Sequence, residues 1–539
     1  MKLRYRPILY IYNKYCLKIT KYVILLFILL LLYMKQNEVK YTNYNDTNKQ
    51  STTIKTPAKI LINSNFVIRK EAISQMTLIQ QRIYLLKLFG YYSTTDDEQK
   101  EMIEKQIINY LSKERQIFLK NNNANLEIMS EKIQARLHSI QNPQNCMNAR
   151  ILLCRIEPYK CGFGCIMHHI SYCLSISSGT GRTLIIEDEG TKIWGSIKRY
   201  NVKWNELFRT ITNCSYDDHV KPFLSMVQGY YGPEQRDRII FMTHRVAMKD
   251  HQIPHAPEVA PMQIKNFLIE NHSNPSLWFL GQLIKFIWRE NEKTKNEIDK
   301  IVSKTPFECG PIVGIHVRLT DKITESKIQK LEDYMKWVEF WFNINDENNI
   351  LFNKNSIATN CTTRRKLYVA TDMPVLKEVV MEAKNKWGNK YEIYHPNYFE
   401  QNQSREMLIE ILAITKILAK CQFVVCTFSS NACRLVYELM QSFQGDASEN
   451  VHSLDYFYSE HWFNNTMEAI AEYKPVQEYP LSPDELWAEK GDIIIVKTPI
   501  NQDGFIRGRN PRLNSEGRFP MYLLKEHLKF EDFSAFVNI

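Results

Sequence analysis

The alternation of hydrophobic and polar positions divides the chain into stretches of different texture. Near the start, Tyr22 to Met34 is an uninterrupted apolar run of 13 residues closed off by Lys21 and Lys35. A bilayer wants about 17–25 residues, so the length by itself suits a signal-peptide core or a buried helix. No small-residue cleavage site follows Met34, however, and Lys18 and Lys21 can snorkel so that Leu17 to Met34 spans a thin membrane. An uncleaved signal anchor is the expectation and a cleaved signal the alternative. The six cations before the run put the tail in the cytoplasm and the bulk of the chain in the lumen, a type II topology.

Residues 36–65 are polar and rich in Asn, Thr and Lys, which reads as a solvated stalk. No proline falls between Pro57 and Pro143, and Gly90 is the only glycine in the first 161 residues, so long helices follow. Met76, Ile79, Ile83 and Leu86 step by three and four, as do Leu126, Met129, Ile133, Leu137 and Ile140. Such seams suit either a helical cap on the body or a homodimer through a short bundle. From about Pro143 short apolar runs alternate with amphipathic segments, the pattern of an α/β body. Cys161-Gly162-Phe163-Gly164-Cys165 is a tight turn, Ile166 to Ser178 has helical spacing, and Arg182 to Ile186 reads as a buried strand. Past Asp455, Gly491-Asp492-Ile493-Ile494-Ile495-Val496 and the later Gly504, Gly508 and Gly517 predict short strands with glycine turns in a small β-barrel. That pattern resembles an SH3 domain, but no tryptophan follows Trp487 to build an aromatic groove for proline-rich ligands. A scaffold or acceptor-docking role fits better.

Three strand exits carry candidate chemistry. Pro311 to Arg318 runs from an apolar interior into Leu319-Thr320-Asp321-Lys322, Leu367 to Asp372 does the same, and Phe423 to Cys426 enters Thr427-Phe428-Ser429-Ser430-Asn431 ahead of a helix capped by the serines. Parallel strands separated by helices bring all three exits to the edge where open α/β sheets bind ligands. Arg318 can fork onto a diphosphate, and the Ser430 hydroxyl with helix N-terminal amides can hold a second oxygen. For each residue alone a structural reading competes: a surface ion pair, a turn former, a cap. Their convergence favours an anionic ligand.

Composition then narrows the class. The 539 residues are 44% hydrophobic and 24% charged, which is globular, and enough for several domains. Of the net charge of +10, Lys2, Arg4, Arg6, Lys14, Lys18, Lys21 and Lys35 supply +7, and no later Lys/Arg stripe offers the cationic face that nucleic acid demands. Eight of the 12 cysteines cluster at 146, 154, 161, 165, 173 and 214, then 426 and 433, as disulfides in an oxidising compartment would. Zinc on Cys161, Cys165, His168 and His169 is the rival, weakened by adjacent histidines. Glu187-Asp188-Glu189 mimics an acidic metal motif but suits a solvated loop better. Sequons at Asn45, Asn213, Asn271, Asn360, Asn402 and Asn464 agree with a lumenal chain.

The anchor, stem, cysteine cluster, His316-Val317-Arg318-x-Thr320-Asp321-Lys322 loop, Cys426-Thr427-Phe428-Ser429-Ser430 segment and terminal barrel occur in this order in one family, and from about Pro143 onward the chain resembles the core α1,6-fucosyltransferases of N-glycans. The resemblance implies an α/β fold: an open α/β domain with a Rossmann-like nucleotide-sugar domain (GT-B-like), a helical stem and an SH3-like barrel. The expected divisions are 1–21 cytoplasmic tail, 22–34 anchor, 35–65 stalk, 66–142 coiled-coil-like stem, 143–305 α/β subdomain, 306–455 donor-binding subdomain, 456–486 connector and 487–530 SH3-like domain. It implies a Golgi enzyme that moves fucose with inversion from GDP-fucose to the 6-hydroxyl of the innermost N-acetylglucosamine, without metal or other cofactor. A catalytically inactive glycan-binding relative is the alternative, and a protein O-fucosyltransferase a third reading. By the same resemblance Arg318 meets the β-phosphate, Lys322 lies near the reacting centre, Glu325 is the base, and His316, Asp372, Ser430, Asn431 and Phe163 belong to the donor site. It also pairs Cys146 with Cys214, Cys154 with Cys173, Cys161 with Cys165, and Cys426 with Cys433.

Departures from the family pattern weaken donor recognition. Leu319 stands where a second arginine is usual, Phe163 and Asn431 replace a tyrosine and a glutamine, and the guanine-reading aspartate falls near Ile414, with Glu410 one helical turn earlier as a substitute. Apart from any resemblance, Cys309 and Cys361 each precede a predicted parallel strand, so they can meet at one sheet edge as a further disulfide.

Overall fold

The computed structural model of the chain describes residues 80, 119, 122–155, 162–186, 202–243, 253–320, 327–346, 361–397, 405–458, 465–474, 484–496, 504–537 and 539, all within one compact unit, Asn65–Ile539. The expected anchor, the stalk, the Met76 to Leu86 seam apart from Gln80 and the Glu187-Asp188-Glu189 run lie outside them. Among the described residues no helix is long and apolar enough to cross a membrane.

Residues 122–141 form helix α1. Its seam of Leu126, Met129, Ile133 and Leu137 is buried in the main core of the body, so this stripe is spent on intramolecular packing as the cap reading expects. Ser130 Oγ donates to Gln282 Oε1 at 2.6 Å, fastening the helix to the body. Next come β1 (Ile151–Arg155), α2 (Phe163–Gly179), β2 (Thr183–Ile186), β3 (Gln228–Gly229) and β4 (Ile239–Thr243). The four strands are parallel in the order β2-β1-β4-β3. Helix α2 is buried almost all round because it lies between this sheet and two helices of the next layer.

After β5 (Val259–Pro261), α3 (Pro275–Ile287) and α4 (Glu292–Val302), the chain builds a second parallel sheet from β6 (Ile312–Val317), β7 (Arg365–Thr371), β8 (Tyr391–Tyr394), β9 (Phe423–Cys426) and β10 (Val451–Ser453). Its helices are α5 (Leu331–Asp346), α6 (Leu376–Trp387), α7 (Arg405–Lys420) and α8 (Asn431–Gln444). Every residue of β6 and β9 is buried, the mark of a parallel strand covered on both faces. The order β10-β9-β6-β7-β8 means that the chain winds outward from β6 to β8 and then returns to lay β9 on the other side of β6. The direction of winding reverses between β6 and β9, and ligands of doubly wound sheets bind beyond the strand ends at such a point.

Helices α2, α3 and α8 pack together between the two sheets. Two glycines permit the approach: a Cβ on Gly281 would lie 2.7 Å from the Glu438 carbonyl oxygen, and one on Gly164 would lie 2.7 Å from that of Asn431.

The last strands, β11 (Asn465–Ala469), β12 (Ile493–Val496), β13 (Phe505–Asn510), β14 (Ser515–Pro520) and β15 (Leu524–Glu526), form an antiparallel sheet in the order β14-β13-β12-β11-β15 with its own apolar core. β11 comes from the stretch expected to be a connector, because its Met467 and Ala469 fill that core between β12 and β15. The chain then returns to the body: β16 (Lys529–Glu531) pairs with β5, and Phe533 and Phe536 enter the main core.

Four disulfides join described residues: Cys146–Cys214, Cys154–Cys173, Cys426–Cys433 and the additional Cys309–Cys361. Cys165 is also disulfide-bonded, which removes it from any zinc site, and Cys161 lies outside the described residues. The sequon at Asn271 is not a glycosylation site in the folded chain. That residue is 7% exposed, its Nδ2 donates to the Phe267 carbonyl, and its Oδ1 accepts from Asn125.

Candidate functional site

The site is the edge formed by the exits of β6, β7 and β9. Arg318 follows β6 and ion-pairs with Asp372, the residue after β7. The same carboxylate accepts from the backbone N–H of Leu319 and of Thr320, both at 3.0 Å, and from the Thr320 hydroxyl at 2.9 Å. Asp372 is therefore a brace that holds the loop, and the donor contact expected of it must be shared with these duties. The Arg318 side chain is tethered by Asp372 and keeps 28% of its surface exposed. Leu319 turns its side chain against the core beneath β6 and so adds no charge to the edge.

His316, the penultimate residue of β6, is buried, and its Nδ1 has no hydrogen-bond partner among the described residues. Burial, with the neighbouring Arg318 charge, pushes its imidazole down to about 3, so it is neutral at physiological pH. Tyr334 of α5 is buried against the Arg318 backbone and Thr427, and burial pushes its phenol well above the usual range.

The turn after β9 is built by Asp455, which spacing did not single out. It accepts from the Ser429 hydroxyl and from Ser453 Oγ at 3.0 Å, while Ser453 Oγ accepts the Phe428 N–H at 3.0 Å. Asp455 sits just past β10, so the strand-exit rule that found Asp372 applies equally to it. Ser430 occupies the N-cap position of α8, but its side chain makes no capping bond, contrary to the expected serine cap. Ser429 is committed to Asp455, leaving the Ser430 hydroxyl beside the helix N-terminus.

Asn431 opens α8, and its Oδ1 accepts from Arg434 at 2.6 Å and contacts His168 Nδ1 at 3.0 Å. His168 belongs to α2, and its sequence pattern suggests only a metal ligand. Phe163, expected near the donor, is half-buried in an aromatic cluster, with ring centroids 5.6 Å from Trp288 and 6.3 Å from Phe208. Lys322 and Glu325 lie outside the described residues. The edge thus brings together His316, Arg318, Asp372, Ser430 and Asn431, and Phe163 opens α2 next to Gly164, which lies against Asn431.

A mixed α/β body carries a tethered cation and an uncapped helix N-terminus at its winding reversal, the arrangement of a candidate enzyme site. A family model described as alpha-(1,6)-fucosyltransferase N- and catalytic domains matches residues 35–459, and the chain belongs to that family. It is a fucosyltransferase. An alpha-(1,6)-fucosyltransferase of Caenorhabditis elegans is 27% identical over 478 residues, covering 85% of this chain and 79% of that protein. One from Drosophila melanogaster is 29% identical over 406 residues, covering 74% of this chain and 60% of that protein. Among solved structures, the Arabidopsis thaliana FUT1 mutant in complex with GDP aligns at a TM-score of 0.33 with 10% identity, over 62% of this chain and 77% of that one.

Proposed function

We propose that the enzyme transfers fucose from GDP-fucose to the 6-hydroxyl of the innermost N-acetylglucosamine of N-linked glycans, with inversion at the fucose anomeric carbon. The observation that carries this reading is the partly exposed guanidinium of Arg318, held by Asp372 at the winding reversal beside the N-terminus of α8. Glu325 removes the proton from the 6-hydroxyl, and that oxygen attacks the anomeric carbon as the bond to the diphosphate breaks. The released GDP carries the electron pair, its new charge offset by Arg318, Lys322 and the amides of α8. His316 contacts the nucleoside as a neutral ring, and Ser430 and Asn431 donate toward the diphosphate. The step uses no metal or other cofactor.

The body acts in the Golgi lumen behind the Tyr22 to Met34 anchor, as a GT-B-like pair of α/β domains with an SH3-like barrel from the last antiparallel sheet. Pairing of two chains through the Met76 to Leu86 seam would complete the assembly. An inactive glycan-binding relative remains the rival because Leu319 points into the core where a second cation would strengthen the donor site. Incubating the lumenal part with GDP-fucose and a defined N-glycan tests the reading. GDP release with a mass gain on the core sugar supports it, whereas glycan binding without turnover selects the rival. Glu325→Gln should abolish turnover while GDP still binds.

A further inference from the structure

Asn431 has only one way to present its amide, and one neighbour on its own helix and one residue remote in sequence enforce it. Its Oδ1 accepts from the Arg434 guanidinium at 2.6 Å, which fixes that atom as the acceptor side of the amide. The 3.0 Å contact from His168 Nδ1 to the same oxygen is then made by a ring N–H. The ring in turn is clamped by Glu438, whose carboxylate oxygens lie 2.9 and 3.0 Å from His168 Nε2. Glu438 is fully buried and also accepts from the Tyr458 hydroxyl at 2.8 Å. With Oδ1 doubly occupied, the Nδ2 hydrogens of Asn431 point away from this network and donate to no described residue.

We infer that His168, Arg434 and Glu438 are positioning residues for donor binding: they lock the Asn431 amide so that its NH₂ group joins the Ser430 hydroxyl and the α8 amides in facing the diphosphate. This rests on the reading of the edge as the GDP-fucose site. The close approach of Gly164 to Asn431 brings His168 within reach, so the seam between α2 and α8 controls a donor at the site without touching ligand. A buried polar network would be a costly way to hold two helices together if it gave only stability, since apolar replacements commonly serve as well.

The test measures GDP binding by calorimetry and GDP-fucose KM and kcat for four proteins: the wild type, H168Q, N431D and the double variant. In N431D the carboxylate still accepts from His168 and Arg434, so melting temperature should hold. The lost NH₂ and added negative charge should weaken GDP binding by about tenfold or more. H168Q frees the amide to rotate and should raise KM by about three- to tenfold with a smaller change in kcat. Within the N431D background H168Q should add little, because its effect runs through the amide. Equal KM effects of H168Q in both backgrounds, or unchanged GDP affinity in H168Q, would overturn the inference. Absence of GDP binding by the wild type would instead remove the functional reading beneath it. Should H168Q fail to fold, Y458F takes its place: it removes one donor from Glu438 and should raise KM in the native background but not in N431D, and unchanged KM would reject the lock.

Discussion

The Asp372 carboxylate and the Arg318 guanidinium form an ion pair between the ends of neighbouring parallel strands, and the backbone N–H groups of Leu319 and Thr320 converge on the same carboxylate. One acidic side chain therefore sets both the direction of a cation and the path of the loop that leads to Lys322 and Glu325. Its side chain is only 6% exposed, so the arrangement lies in a partly desolvated setting where losing a partner is costly.

Substitutions at this pair should separate orientation from charge. Arg318→Ala should cut kcat/KM by more than about tenfold, from loss of one charged contact worth roughly 1.5–3 kcal/mol. Asp372→Ala removes the Asp372 tether from Arg318 and orphans two backbone N–H groups, so it should lower both melting temperature and donor affinity. Asp372→Asn keeps an acceptor for the loop and should lose less of each. Retained donor affinity in Asp372→Ala would show that the loop holds its shape without the brace.

The Cys309–Cys361 disulfide closes a loop with a sequence separation of 52. Loop-closure entropy assigns such a crosslink about 4 kcal/mol in the unfolded chain. Changing both residues to Ser should lower the melting temperature without altering donor KM, since the pair lies at the opening ends of β6 and β7, away from their exits. Peptide mapping without reduction should recover the linked pair, and two alkylated thiols there would reject it.

The pH dependence of stability should have two opposed limbs. Burial pushes the Glu526 carboxyl up to about 7, against the pull of the Asn274 amide that donates to it. The folded state then holds its proton more tightly than the unfolded one, so this contribution is full below the usual 4.5 and is lost as pH rises through 7. His316 works in reverse: held down to about 3 from 6.5, it gives its full contribution above 6.5 and loses it as pH falls toward 3. Thermal melts across pH should show Glu526→Gln gaining stability over wild type at pH above about 7 but not below 4.5. An unchanged alkaline limb would mean that the carboxyl is solvated.

Gly164→Ala should be among the most damaging methyl additions in the chain. The new Cβ would lie 2.7 Å from the Asn431 carbonyl oxygen and 2.8 Å from its carbonyl carbon, and backbone there yields only by moving α8. A cost of about 1–3 kcal/mol is expected, together with a raised donor KM as the α8 N-terminus shifts. A melt and a KM indistinguishable from wild type would show that the seam is more pliant.

Some features were legible in the sequence because they are set locally. Continuous apolar runs such as Ile312 to Val317 and Phe423 to Cys426 demand burial on both faces, and hence parallel strands between helices. The residues after β6 and β7, Arg318 and Asp372, and the N-cap position that follows β9, Ser430, then fall at a common edge and are legible by position. The placement of Cys309 and Cys361 ahead of adjacent strands followed from the same rule.

Other features depend on which elements touch. That Met467 and Ala469 of β11 complete the terminal sheet, that Phe163 meets Trp288 edge-on, and that the Ser429 hydroxyl goes to Asp455 instead of capping α8 are settled by neighbours remote along the chain. His168 and Glu438 are 270 positions apart and meet because glycines let α2, α3 and α8 approach. Period and composition of the sequence by itself determined the strands, their common edge and its cation. Only the tertiary structure decided which acceptor each buried donor satisfies, because a hydrogen bond is fixed by a few tenths of an ångström in space and leaves no repeat along the chain.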